Sequence, residues 1–183
     1  MRLTGIFKPA DYPGKPEEIA ELFATLFPGV AEPAFDEHHA GMAIAAHHPK
    51  LALQLGQIGR TLILETSWTE RANLRELAIA TLNLHFKSDY SLRSRAKAAE
   101  AAGVTQDVIA ALPDWQTSPL FDDEQRLVIE YTRAAVTGAV PEPLFACVRN
   151  AFGERATVEL TSIIGLWSFW AMLLNAIRPD GET

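Results

Sequence analysis

Residues 74–104, LRELAIATLNLHFKSDYSLRSRAKAAEAAGV, decide how this chain folds. Leu74, Leu77, Ala78, Thr81, Leu82 and His85 recur at intervals of three and four, the period of a helix rather than a strand. Ser67 and Glu70, just upstream, have the spacing of a capping box, so the helix is expected to begin there. Ser88 and Asp89 read as a fresh N-cap, and Gly103 as the stop of a second helix that runs to Ala102. Two abutting helices thus carry Glu76, His85, Ser88, Tyr90, Ser91 and Arg95.

Outward from this stretch the helical pattern continues. Pro16 opens a helix that Pro28 and Gly29 stop, Phe35 to His47 forms a short second one, and Pro49 opens a third. Leu51, Leu55, Ile58 and Leu62 give the third helix its expected apolar face, and Gly56 and Gly59 mark close helix packing. Downstream, Thr105 caps TQDVIAAL, Asp122 or Asp123 starts a helix that reaches Gly138, Pro141 to Phe152 makes another, and Glu154 to Ile177 a long last one. No window shows sustained two-residue alternation between hairpin turns. The expected fold is therefore an all-α bundle of about seven to nine helices with short connections. Residues 1–15 read as an irregular arm, and residues 16–183 as a single helical domain.

Composition narrows the function. A chain of 183 residues, 48% hydrophobic and 21% charged, has the makeup of a soluble globular domain. Its net charge of -7 disfavours nucleic acid and anionic lipid as partners. The single cysteine, Cys147, excludes an internal disulfide or a two-thiol relay, and its spacing in PLFACVRNAF predicts a buried, inert thiol. MRLTGIFKPADYPG has no apolar signal core, so the cytoplasm is the expected compartment. Leu160 to Ile177, LTSIIGLWSFWAMLLNAI, carries no charge, but Thr161, Ser162, Ser168 and Asn175 lie inside it. It is expected to be a helix buried on all sides, in the core or between subunits, not a membrane span.

Each polar candidate has a plain reading beside a chemical one. The pairs His38–His39 and His47–His48 point about 100° apart on a helix, so neither chelates one metal from one face, and no metal site is expected. Glu76 lies among apolar neighbours in RELAIATL: it is a buried general acid or base, a partner of Arg75, Arg71 or Lys87, or simply exposed. His85, nine positions later, falls on the opposite side of a straight helix, whereas Asn83 falls on the Glu76 face. The two meet only through a helix break near Phe86 to Ser88 or across a subunit contact. Ser88, Ser91 and Arg95 share a face at spacings of three and four, with Tyr90 beside them.

These residues carry a resemblance. HFKSDYSLRSRAKAAEAAGVTQDVIAAL is similar to the signature helix of the carboxymuconolactone decarboxylase and alkylhydroperoxidase D-like superfamily, and the likeness extends through FDDEQRLVIEYTRAAV and VELTSIIGLWSFWAMLLNA, from about Pro33 onward. Glu76 matches the family's relay glutamate, and His85 a histidine found before the signature. Ser88 stands where hydroperoxidases have their first cysteine, and Ser91 where they have the second or where the decarboxylase-like branch has Glu. Leu92 replaces the usual Trp, and Arg95 the His. A serine hydroxyl cannot reduce a peroxide through a sulfenic acid, so thiol peroxidase activity is disfavoured. An arginine keeps its charge at any working pH and holds a carboxylate rather than shuttling a proton.

The resemblance implies a cofactor-independent lyase acting on a small carboxylate or lactone. Glu76, His85, Tyr90 and Ser91 would be its catalytic residues, and Arg95 and Ser88 would bind substrate. The alternative is a degenerate member that keeps the pocket as a small-ligand binder or oligomeric scaffold. Family members imply a homo-oligomer, a trimer or hexamer.

Overall fold

A computed structural model describes residues 1–179. Those residues form nine α-helices and no strand: α1 Pro16–Leu26, α2 Ala40–Ala45, α3 Pro49–Leu64, α4 Ala72–His85, α5 Asp89–Ala101, α6 Gln106–Ala111, α7 Asp123–Ala135, α8 Glu142–Phe152 and α9 Glu154–Ile177. The all-α reading holds. Contacts gather into two compact units, residues 62–172 and residues 1–61 with 173–179.

The larger unit is built on α4. Ten consecutive residues of this helix, Leu74 to Asn83, are buried. Leu74, Ala78, Ile79 and Leu82 join one apolar cluster with Trp68, Val128, Val148, Leu160, Ile163 and Trp167. Leu77 and Ala80 join a second with Ala99, Val104, Ile109, Trp115, Phe121 and Ile129. A helix with a core on two sides shows little amphipathicity. Burying Leu77 and Leu82 completely contributes about 1.5–3 kcal/mol each.

Local chemistry explains most boundaries. Asp122 caps α7 by accepting from Gln125 N–H while Gln125 Oε1 accepts from Asp122 N–H, a reciprocal capping box. Thr105 Oγ1 caps α6. Gly153 takes φ 87° between α8 and α9, a left-handed conformation that costs an L side chain strain. The Ser67–Glu70 box does not form. α4 starts at Ala72, because the Ser67 N–H is taken by Glu159 Oε2 at 2.8 Å, 92 residues away.

Two burial expectations fail in this unit. Cys147 is exposed, since α8 buries its Val148 face and leaves the neighbouring position in solvent. α9 is buried along one stripe only: Leu160, Ile163, Ile164 and Ala171 are inside, while Val158 is 67% and Met172 53% exposed. The helix surrounded on all sides is α4. By length and composition alone, α9 is long and apolar enough to cross a membrane.

In the smaller unit the arm is not wholly irregular. Pro9–Asp11 makes a turn of 3-10 helix, and Ile6, 2% exposed, donates its N–H to Ala43 O. The expected helix from Phe35 begins as a 3-10 turn, Glu37–His39, with Asp36 accepting from His38 N–H, before α2. Phe23, Phe27 and Phe35 pack ring against ring. A side chain at Gly56 would meet Leu26 Cδ2 at 2.9 Å, so close packing does explain that glycine. The predicted apolar face of α3 is partly in solvent, with Leu51 and Ile58 exposed and Ala52 and Leu53 buried instead. Three of the four histidines in the two adjacent pairs have local partners: His39 Nδ1 lies 2.6 Å from the Asp36 carboxylate, His47 Nε2 lies 2.8 Å from Thr4 O, and His48 Nδ1 accepts from Leu51 N–H.

Candidate functional site

The tight turn Phe86–Ser88 folds α5 back along α4, with the Ser88 N–H on Asn83 O at 2.9 Å. Lys87 absorbs the reversal at φ 52°. This hairpin sets the serine face of α5 against the Glu76 face of α4. Arg95, 19 residues from Glu76 in sequence, therefore reaches its carboxylate: Nη2 lies 2.5 Å from Oε1 and Nε 3.3 Å from Oε2.

Glu76 is 1% exposed and has a second cationic partner. Arg75 directs Nε and Nη2 to Oε1, each at 3.3 Å. Adjacent helical side chains do not normally face each other, and here the Arg75 guanidinium is fixed from its other end. Its Nη1 donates to Ile63 O at 3.0 Å and to Trp68 O at 3.1 Å. The sequence offered Arg75 as one plain partner of Glu76, and the structure makes it a real one.

Two guanidiniums on one buried carboxylate leave the three side chains with one positive charge in excess. Charges in a low-dielectric interior are costly unless paired, so this arrangement favours an anion. Three of the four N–H contacts crowd onto Oε1 and one reaches Oε2, which keeps an acceptor position open. Arg95 is the less enclosed cation, its side chain 26% exposed against 9% for Arg75. Its guanidinium carbon stands 5.4 Å from the Trp167 ring centroid, a cation–π contact from α9.

The same two helices and α9 also bury polar groups with nothing to bond. Asn83 Nδ2 and Oδ1, Ser88 Oγ and Ser168 Oγ are buried without a hydrogen-bond partner. Ser91 is 2% exposed. Ser88 occupies the N-cap position of α5, yet its hydroxyl makes no cap hydrogen bond. A buried unsatisfied polar group costs about 1–3 kcal/mol, which a polar ligand or water reaching it would relieve.

His85 does not join the cluster. The break expected at Phe86–Ser88 is present, but α4 stays helical through His85 and the chain turns only after it, so the imidazole remains on the side of α4 opposite Glu76. Its ring is exposed and meets Phe86 edge-on. Tyr90 is half-buried beside the serine face. Sequence reasoning missed Trp167 and Ser168, which approach from a distant helix, and gave Asn83 no role. The signal for Asn83 was present: seven residues after Glu76 is two turns along the same face.

An open cleft of about 570 Å³ between Leu64, Glu65, Glu70, Arg71 and Arg155 is lined by none of the triad residues. Its charged groups are solvated.

No protein-family model matches the chain, and no solved structure does. An uncharacterised protein of Escherichia coli K12, YnjA, is 39% identical to it over 83 residues, which is 44% of this chain and 45% of that protein. The similarity thus spans less than half of either, and YnjA is itself without a described activity.

Proposed function

We propose that this chain belongs to the carboxymuconolactone decarboxylase and alkylhydroperoxidase D-like superfamily and carries out cofactor-free acid/base chemistry on a small carboxylate-bearing substrate, a decarboxylation or a lactone or enol rearrangement. The observation that carries the reading is the excess positive charge at the Glu76–Arg75–Arg95 triad. A substrate carboxylate supplies the missing anion, and the planar guanidinium of Arg95 is suited to hold it through two hydrogen bonds. Asn83, Ser88 and Ser91 donate to an oxyanion as charge develops on the substrate oxygen. Glu76 moves the proton. His85 has no part in this arrangement, since α4 carries it away from Glu76.

The serines at positions 88 and 91 and the lone exposed Cys147 supply no thiol pair, which keeps peroxide reduction outside the proposal. A homo-oligomer belongs to the same reading through the family resemblance. The exposed Val158 and Met172 of α9 offer apolar surface for such assembly.

A second reading, a binding protein without turnover, is favoured by one observation: both oxygens of Glu76 are already engaged by guanidinium N–H groups. Screening aromatic and lactone acids by thermal shift, with carbon dioxide release and ultraviolet absorbance as activity readouts, separates the two. Turnover that disappears in Glu76→Gln supports the enzyme. Saturable binding with no turnover supports the binder, and no binding by any carboxylate overturns both.

A further inference from the structure

We infer that Arg95 is an exchangeable clamp on Glu76 and Arg75 its permanent counter-ion, so that a substrate carboxylate frees the base by drawing Arg95 away. This rests on the carboxylate-binding reading above and deepens it.

The two arginines differ in how they are held. Arg75 is tied by Nη1 to two backbone carbonyls, Ile63 O and Trp68 O, and its side chain is 9% exposed. Arg95 has no backbone anchor: Glu76 and the face of Trp167 are its contacts, and its side chain is 26% exposed. A carboxylate entering beside Arg95 competes with Glu76 for the same planar edge. When Arg95 turns to the ligand, Oε2 and one contact of Oε1 are released, while Arg75 still neutralises the buried carboxylate. Glu76 is thus never left unpaired, which removes the main penalty for breaking a buried ion pair. The Trp167 face supplies a surface over which the guanidinium can pivot. A ligand shifts such an equilibrium only through a difference in its affinity for the two states, and here that difference is the new Arg95–carboxylate pair. A neutral ligand would leave Glu76 clamped. Arg75 is accordingly a positioning residue, and selectivity for acids over amides or esters follows from the release step.

The test is a titration of the full chain, labelled with 13C and 15N, with benzoate as probe and benzamide as its neutral counterpart. The Arg95 Nε and Glu76 carboxyl-carbon resonances should move together and saturate at one benzoate concentration, with Arg75 Nε unmoved and benzamide inert. In Arg95→Met the Glu76 carboxyl signal should sit near its benzoate-saturated position with no benzoate present. Movement of Arg95 without Glu76, or a Glu76 signal in Arg95→Met that matches the free wild type, overturns the exchange and leaves carboxylate binding standing. Saturation of neither resonance by benzoate or by any other small monocarboxylate overturns the binding reading and the exchange with it.

Discussion

Arg95 meets Glu76 across the α4–α5 hairpin, with Nη2 2.5 Å from Oε1, and shares that carboxylate with Arg75. The pairing turns a polar stripe on two helices into a charged centre inside the bundle. It also ranks the three side chains energetically. Glu76→Gln leaves two cations uncompensated, one of them deeply buried, and should lower stability by about 3–5 kcal/mol. Arg95→Met leaves the neutral Arg75–Glu76 pair and keeps an apolar stem against Trp167, so its loss should be smaller, about 1.5–3 kcal/mol. Urea unfolding of both variants checks the order, and the reverse order would contradict it.

Ser88 is expected to break the usual rule for N-caps. Replacing a serine cap by alanine ordinarily costs about 0.5–2 kcal/mol. Here the hydroxyl is buried and makes no cap hydrogen bond. Ser88→Ala should therefore raise the denaturation midpoint, by an amount corresponding to about 1 kcal/mol, while weakening carboxylate binding. A lowered midpoint would show that the hydroxyl has a partner in solution.

His85→Ala should be nearly silent. The ring is exposed, with Phe86 as its aromatic contact. Stability should change by no more than about 0.5 kcal/mol, as for ordinary surface substitutions, and turnover on any substrate found should persist. Loss of turnover in this variant would restore a catalytic role and require a second subunit to bring the imidazole to Glu76.

Acid sensitivity should trace in part to Glu159. Burial acts to raise its carboxyl pKa, but hydrogen bonds from Arg155 and the Ser67 N–H outweigh it and hold the group below the usual 4.5. A carboxyl depressed in the folded state contributes stability that is present above its unfolded value and lost as pH falls through the folded one. Glu159→Gln should flatten the stability profile below about pH 4.5, with little change in shape above it. A variant profile parallel to the wild type throughout the acid range would count against that contribution.

Much of the fold was legible because helix signals are local. Asp122 and Gln125 cap α7 from three residues apart, and Pro16 and Pro49 open helices by geometry alone. What failed depended on distant neighbours. Ser67 and Glu70 have the right spacing for a cap, but Glu159 claims the Ser67 N–H. The uncharged run in α9 looked like the most enclosed helix, yet enclosure depends on how many elements surround a segment, and α4 has more. Within the site, the serine–arginine face of α5 followed from periodicity, whereas the burial of Glu76 was one of several readings its spacing left open. Arg75 followed only as one of three candidate partners, because its anchoring carbonyls, Ile63 O at the end of α3 and Trp68 O on the loop before α4, are set by the fold, and Trp167 did not follow at all, because it arrives from 72 residues beyond Arg95.

The most direct test of the site is calorimetric titration of benzoate and benzamide into the wild-type chain and into Arg95→Met. The charge excess at Glu76, Arg75 and Arg95 leads us to expect saturable benzoate binding to the wild type, at least tenfold weaker binding of benzamide, and a comparable loss of benzoate affinity in Arg95→Met. Equal affinity for acid and amide, or unchanged benzoate affinity without Arg95, would contradict the claim that this cluster is built for a carboxylate.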